Sequence, residues 1–193
     1  MRISACYIVK DEAHELRRSL ASLREAVDEI AVVSTAGNVA VAEAAAEFGA
    51  RLYEFPWQDD FSLARNYALE QATGEIVVFL DADEFFFHPE DVRSAILEMM
   101  QEHDDSDLMM IPLWNYMTEN SLRDAQRIMS PRIFRRAGLH YEGLIHEQLV
   151  RDDGGERIIV YGDERLTIGH TGYLKERGEE KIRRNIAMLE RDA

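Results

Sequence analysis

The stretch IVVFLDADE, residues 76–84, joins five consecutive apolar residues directly to a cluster of three carboxylates. A continuous apolar run of this length is typical of a strand that is buried on both faces, as in a parallel sheet covered by helices. In open sheets of this kind, ligands bind beyond the carboxyl ends of the strands. The sequence therefore places the acidic cluster where an α/β sheet forms its binding site.

Short apolar runs alternate with helical patterns on both sides of this stretch, which predicts βαβ units and a mostly parallel sheet flanked by helices. We expect an α/β fold on this basis. The predicted strands of this part are Ile3–Val9, Ile30–Val33, Arg51–Phe55, Ile76–Leu80 and Leu108–Trp114.

Four helices are predicted between these strands from apolar residues at helical spacing and from residues typical of helix ends. The first is capped by Asp11 and carries Leu16, Leu20, Leu23 and Val27 on its inner face. The others are Ala40–Phe48 stopped by Gly49, a helix capped by Asp60 and ended by Gly74, and a helix with Pro89 in its first turn.

Beyond about residue 115 the alternation gives way to short strands separated by Gly- and Asp-rich turns. We predict a mixed, β-rich C-terminal portion and a final helix from about Leu174, with no repeats and no linker, so that residues 1–193 form one domain. The predicted strands are Ile128–Phe134, Ile145–Val150, Arg157–Tyr161 and Leu166–Ile168, and the final helix carries Ile182, Ile186 and Leu189.

The charge balance excludes two classes of protein. The chain has 37 acidic and 22 basic residues and a net charge of −15, which disfavours a nucleic-acid binder and a basic membrane-surface protein. The single cysteine, Cys6, cannot form an internal disulfide, and no apolar run is long enough for a signal peptide or a membrane span. We therefore expect a cytoplasmic protein.

Three carboxylates lie within four residues at Asp81, Asp83 and Glu84, and they repel one another unless a cation compensates them. Mg²⁺ and Mn²⁺ prefer oxygen ligands, commonly one or two carboxylates together with substrate phosphates. An extended backbone presents Asp81 and Asp83 toward one ion. The alternative is an acidic surface loop ahead of the helix near Pro89.

Several segments together resemble glycosyltransferase family 2, which has the GT-A fold, and in particular the subgroup often followed by helical TPR-like repeats. The cluster at residues 81–84 after its apolar strand resembles the D-x-D motif of that family. The other segments that carry the resemblance are residues 8–12 (IVKDE), 57–66 (WQDDFSLARN), 73–75 (TGE), 143–147 (GLIHE) and 170–173 (HTGY).

The resemblance implies a nucleotide-binding half at residues 1–114, an acceptor-side half at 115–173 and a C-terminal helix at 174–193. On the donor side it implies that Asp81 and Asp83 hold Mg²⁺ or Mn²⁺ against the diphosphate of a nucleoside diphosphate sugar. It further implies that Asp81 also reaches the ribose and that His170 completes the metal site. Arg65 then contacts the nucleotide, with Asp11 or Glu12 near the base.

The resemblance also implies an inverting transfer of the sugar to an acceptor hydroxyl on a saccharide, lipid or protein. Glu147 matches the carboxylate that serves as the base, and His146 is a nearby alternative. A metal ion would neutralise charge on the leaving nucleoside diphosphate, while the base takes the proton of the attacking hydroxyl.

One position departs from the family pattern. After the second strand the family usually has an Asp that helps to hold the nucleotide, and this chain has Ser34, which offers a hydrogen bond but no charge. Two hypotheses therefore stand: a metal-dependent inverting glycosyltransferase, and a catalytically silent GT-A-like module with altered or lost donor recognition.

A basic stretch from Arg127 to Arg136 contains four arginines and no acid. It has two interpretations. The arginines bind phosphate oxygens or an anionic acceptor near the diphosphate site, or they form a solvated basic edge on a β-ribbon that discourages strand pairing.

Overall fold

The computed structural model describes residues 1–116, 125–144 and 146–172 of the chain. Within these residues, nine strands form one sheet in the order β3-β2-β1-β4-β7-β6-β11-β5, with β10 paired to β6. The strands are β1 Ile3–Val9, β2 Glu29–Ser34, β3 Arg51–Glu54, β4 Ile76–Phe79, β5 Glu84–Phe86, β6 Leu108–Asn115, β7 Gln126–Arg135, β8 Leu139–Glu142, β9 Gln148–Arg151, β10 Ile159–Tyr161 and β11 Ile168–His170.

The sheet is mostly parallel, as predicted. Strands β3, β2, β1 and β4 are parallel neighbours, and β10 and β11 both run parallel to β6. Strand β7 runs antiparallel to β4 and β6, and β5 runs antiparallel to β11. The strands β8 and β9 form a separate antiparallel hairpin.

In the part of the chain that the structure describes, four helices cover the sheet, namely α1 Ala13–Leu23, α2 Val39–Glu47, α3 Phe61–Gln71 and α4 Val92–Glu102. Alternate residues of β1 point to opposite faces, so that Ala5 and Tyr7 join the core formed with α1, α2 and α4, while Cys6 joins the core formed with α3 and the β8–β9 hairpin. Two apolar layers therefore enclose the central strands and leave the carboxyl edge of the sheet for the site.

Two of the predicted helix ends are confirmed. Asp60 caps α3, because its side chain accepts a hydrogen bond from the main-chain N–H of Leu63 at 3.1 Å. Gly49 follows α2 with φ of 67°, a left-handed conformation that favours glycine at the end of a helix.

The start of α1 differs from the prediction. Glu12, not Asp11, is the cap residue, and its carboxylate accepts hydrogen bonds from the main-chain N–H groups of Lys10 and Asp11 instead of capping the helix. Val27 lies beyond the helix in extended backbone, after a 3₁₀ turn at Arg24–Ala26.

The prediction for Pro89 is also wrong. A turn closed by the bond from Asp91 N–H to the His88 carbonyl contains Pro89, and α4 begins only at Val92. Proline favours the second position of such a turn as strongly as the first turn of a helix.

The sequence patterns missed the short strands β5 and β8 and assigned Leu166 to a strand, whereas it lies in a 3₁₀ turn at Glu164–Leu166. Ile145 and the predicted helix at 174–193 lie outside the described residues. Among the residues that are described, no helix is long and apolar enough to cross a bilayer.

Candidate functional site

The acidic loop follows β4 at the carboxyl edge of the sheet, as predicted. Its first and last residues hold each other in a tight turn, because Glu84 N–H donates to the Asp81 carbonyl at 3.0 Å and Asp81 N–H donates to Glu84 Oε2 at 3.1 Å. Strand β5 begins at Glu84 and pairs with β11, so that His170 lies opposite Glu84 in the register. The loop is thus fixed between β4 and β11.

Two arginines provide much of the charge compensation that the acidic loop needs. Arg132 of β7 donates to both oxygens of Glu84, at 2.8 and 2.7 Å, and to Asp81 Oδ2 at 3.2 Å. Arg65 of α3 donates to Asp81 Oδ1 at 2.9 Å and to Glu147. The compensating charge for Asp81 and Glu84 is therefore supplied by guanidinium groups in this structure.

The charges of this network are largely removed from solvent. The side chain of Glu84 is 1% exposed and that of Arg65 is 7% exposed, while the Arg65 guanidinium lies over the Phe79 ring at 4.6 Å. Burial raises the pKa of Asp81, but Arg65 and Arg132 outweigh it and hold that pKa well below its usual range. Asp81 therefore stays ionised as the partner of both arginines.

The predicted metal ligands are only partly brought together. His170 Nε2 lies 3.4 Å from Asp83 Oδ2, so these two donor atoms face each other. Asp81 instead directs its carboxylate to the two arginines. The described part of the chain contains no group of three or more His, Cys, Asp or Glu residues placed to hold a metal ion. Asp83 and His170 are thus the two predicted ligands whose atoms face each other, and a role for Asp81 in metal binding stays a prediction.

The pair of Asp83 and His170 fits a small divalent cation by its donor chemistry. Its members are a carboxylate oxygen and an imidazole nitrogen, and Mg²⁺ and Mn²⁺ are commonly held by so few protein ligands when substrate phosphates supply the others. His170 Nδ1 donates to Asn115 Oδ1 at 2.7 Å, so that Nε2 is the nitrogen that can offer a lone pair. Gly172 keeps the space beside both donor atoms clear of a side chain.

The structure brings Glu147 to the acidic loop through Arg65. Glu147 lies in the segment that joins β8 to β9, and its side chain is 13% exposed. His146 is exposed, with a left-handed backbone at φ of 58°, and its carbonyl accepts a bond from the Gln148 side chain at 3.1 Å. Of the two predicted bases, Glu147 is the one within the network.

The three other predicted nucleotide-binding residues lie at the same edge. Asp11 and Glu12 follow β1, where the Glu12 carboxylate accepts from main-chain N–H groups. Ser34 ends β2 beside Val9, is buried, and accepts a hydrogen bond from Gly37 N–H at 3.0 Å. The Ser34 hydroxyl thus closes the turn after β2.

The stretch Arg127–Arg136 is not a solvated edge, since β7 pairs with both β4 and β6 and each of the four arginines has a partner within the described chain. Arg132 belongs to the acidic network. Arg135 donates to the carbonyl groups at the end of α4, Arg136 donates to the Gly74 carbonyl, and Arg127 pairs with Glu164. These arginines therefore tie β7 to its surroundings.

Sequence reasoning missed two asparagines next to the site. Asn115 supports His170, and Asn66 pairs with the main chain of Tyr141 on β8. Asn115 directly follows the strand predicted to end at Trp114, so inspection of the residue after that strand could have found it. No sequence signal links Asn66 to a strand 75 residues away.

Comparisons with known proteins identify the family and the fold of the chain. The profile of the family described as "Glycosyl transferase family 2" matches residues 4–155. A TPR repeat-containing protein of Synechococcus elongatus is 31% identical over 188 residues, covering 93% of this chain and 44% of the relative. The SPbeta prophage-derived glycosyltransferase SunS of Bacillus subtilis is 28% identical over 196 residues, covering 97% of this chain and 44% of the relative. The chain thus spans less than half the length of these curated relatives.

Solved structures share the fold. The crystal structure of TarS 1-349 from S. aureus superposes with a TM-score of 0.62 at 16% identity, over 89% of this chain and 60% of that one. Glucosyl-3-phosphoglycerate synthase from Mycobacterium tuberculosis, in complex with Mg²⁺ and uridine diphosphate, gives a TM-score of 0.50 at 21% identity, over 58% of this chain and 43% of that one. Together with the sheet order and the family match, these likenesses confirm the α/β GT-A fold. The chain therefore belongs to glycosyl transferase family 2.

Proposed function

We propose that this chain is the catalytic part of a metal-dependent, inverting glycosyltransferase that moves a sugar from a nucleoside diphosphate donor to an acceptor hydroxyl. The observation that carries the proposal is that the Asp83–His170 pair and the Arg65–Glu147 pair, the latter joined to Asp81 through Arg65, lie at one sheet edge. The Asp83–His170 pair would bind a metal ion together with the diphosphate of the donor. Glu147 of the other pair would face the acceptor.

The donor side of the site follows from the ligand pair. Asp83 and His170 would hold Mg²⁺ or Mn²⁺, which supplies neutralisation of the charge on the departing nucleoside diphosphate. Support comes from glucosyl-3-phosphoglycerate synthase, whose structures contain Mg²⁺ or Mn²⁺ together with uridine diphosphate. Asp11 and Glu12 are the residues that we assign to the nucleoside end.

The acceptor side depends on Glu147. One of its oxygens, Oε1, accepts from Arg65, and Oε2 has no hydrogen bond to the rest of the described chain. Arg65 orients the carboxylate while Oε2 can take the proton of an acceptor hydroxyl as that hydroxyl attacks the anomeric carbon. A base on the face opposite the leaving diphosphate gives inversion.

A thermal-shift panel of nucleoside diphosphates, each with and without Mn²⁺, tests the donor and the metal together. We expect a rise in melting temperature with one of the diphosphates that requires Mn²⁺ and that disappears in Asp83→Ala. Asp105→Ala is the matched control, since Asp105 is exposed in the turn after α4. The absence of a shift with every nucleotide would contradict the proposal.

A second candidate function is a catalytically silent module that binds a sugar nucleotide or a partner. Ser34 favours it, because the residue that ends β2 is a buried hydroxyl engaged in a turn and not a carboxylate. Donor hydrolysis in Mn²⁺ separates the two functions. Hydrolysis that disappears in Glu147→Gln while donor binding persists supports the enzyme, whereas binding without hydrolysis in the unmodified protein supports the silent module.

A further inference from the structure

Gly172 lies against the Asp83–His170 pair, two residues after His170. A Cβ atom on residue 172 would fall 2.5 Å from His170 Nε2 and closer still to Asp83 Oδ2. The φ angle of Gly172 lies outside the left-handed region that favours glycine. Space beside these two donor atoms, and not backbone conformation, is therefore what requires glycine at this position.

The main chain that leads to Gly172 is fixed to its neighbours. Thr171 donates from its N–H and its hydroxyl to the Asp83 carbonyl, at 3.2 and 3.3 Å, and Arg18 donates to the Thr171 hydroxyl at 2.6 Å. The carbonyl of His170 accepts from Tyr116 N–H at 2.9 Å. Because these contacts hold residues 170 and 171, a side chain at 172 cannot easily be relieved by a shift of the backbone.

The atoms that such a side chain would crowd are the ends of two side chains. The nearest ones are Asp83 Oδ2 and His170 Nε2, followed by Cε1 of the same imidazole, and none of them belongs to the main chain. A methyl group at 172 can therefore be accommodated if the carboxylate and the imidazole move apart. We therefore expect such a side chain to displace the Asp83 and His170 side chains without disrupting the fold.

We propose that Gly172 is a positioning residue of the metal site: its missing side chain allows Asp83 Oδ2 and His170 Nε2 to reach one divalent cation together. This inference rests on the metal dependence proposed above. It goes further in assigning a role to a residue that offers no ligand atom. The family resemblance at residues 170–173 implies a role for His170 but none for Gly172.

Titration calorimetry with MnCl₂ in the presence of uridine diphosphate tests the inference without any measurement of activity. We expect Gly172→Ala to bind Mn²⁺ at least about tenfold more weakly than the unmodified protein, the scale on which residues that orient metal ligands act. Its melting temperature without ligands should change little, because only side-chain ends are displaced.

Gly155→Ala is the matched control. Gly155 lies in an exposed turn, has no left-handed φ, and a Cβ there would come no closer than 3.1 Å to Asp153 Oδ1. We expect this variant to bind Mn²⁺ as the unmodified protein does.

Three results are decisive. Equal Mn²⁺ affinity in Gly172→Ala and in the unmodified protein would overturn the role of Gly172 and leave the proposed function standing. A Gly172→Ala protein that does not fold would also overturn it. That result would show that the Asp83 and His170 side chains cannot move away from the added methyl group. An unmodified protein that binds no Mn²⁺ would overturn both the inference and the metal dependence on which it rests.

Discussion

Asn66 of α3 forms a two-way pair with the main chain of Tyr141 on β8, donating to its carbonyl at 2.8 Å and accepting from its N–H at 2.7 Å. The preceding residue, Arg65, reaches Glu147 in the segment after β8. Two successive residues of one helix thus hold both the strand and the candidate base that follows it. The position of Glu147 depends on α3 as much as on its own hairpin.

Asn66→Ala should therefore loosen the β8–β9 hairpin. We expect a loss of stability of about 1–2 kcal/mol, because two main-chain groups lose their partners. Faster hydrogen exchange at residues 139–151 should accompany it. Gln71→Ala is the control, since among the described residues the Gln71 amide bonds only to the Tyr67 carbonyl of the same helix. Unchanged exchange in the hairpin of Asn66→Ala would show that the pair does not hold it.

Arg132→Met should destabilise the chain strongly. It leaves Glu84 buried without its bidentate partner, and an uncompensated buried charge typically costs about 3–5 kcal/mol. Urea denaturation measures the loss, and the added change Glu84→Gln should recover part of it. Arg127→Met is the matched control, because Arg127 pairs with the exposed Glu164 and should change stability by less than about 1 kcal/mol.

The Glu29 carboxylate should make the free energy of unfolding depend on pH. Its side chain is 5% exposed, and burial alone would raise its pKa, but bonds from Ser4 and Thr73 and the charge of Arg2 lower that pKa from 4.5 to about 2. The stabilisation is complete above pH 4.5 and is lost as the pH falls toward 2, which amounts to about 3 kcal/mol.

Denaturant unfolding of the unmodified protein and of Glu29→Gln across pH 2–7 checks this prediction. The difference in unfolding free energy between the two proteins should be largest above pH 5 and should shrink toward pH 2. A difference that stays constant over this range would show that the Glu29 carboxylate does not titrate as inferred.

Arg65→Lys should separate charge from geometry in the site. Lysine keeps the positive charge but has one ammonium group, which cannot bond Asp81 and Glu147 in the forked arrangement that Arg65 uses. We expect a loss of about 1–3 kcal/mol in stability and, if the chain transfers sugar, a fall in turnover larger than any change in donor affinity. Arg24→Lys is the matched control, because Arg24 is exposed and pairs with the neighbouring exposed Glu25.

The sequence predicted those parts of the site that lie next to a regular element along the chain. The run before Asp81 marked a buried strand, and the residues after it were selected because parallel strands share a carboxyl edge. Arg132 could not be assigned in the same way, because its partners Asp81 and Glu84 are 51 and 48 residues away and only the antiparallel placement of β7 brings them together.

The short strands illustrate a different limit. Strand β5 has three residues, Glu84–Phe86, and β8 has four, Leu139–Glu142, which is too few to show a period of two against neighbouring loops. Their pairing with β11 and β9 defines them. Long-range contacts therefore explain both the missed strands and the pairing of Asp81 with Arg65 and Arg132.

The guanidinium groups of Arg65 and Arg132 also determine the net charge of the site around the acidic loop. When His170 ligates a metal ion through Nε2 it is neutral, and in that state Asp81, Asp83, Glu84 and Glu147 bring four negative charges while Arg65 and Arg132 return two positive ones. A residual charge of −2 is balanced by one ion of valence two, whereas a monovalent ion leaves the site anionic and a trivalent ion makes it cationic. In the proposed enzyme, a diphosphate would then meet an electroneutral site instead of the repulsion that the net charge of the whole chain suggests.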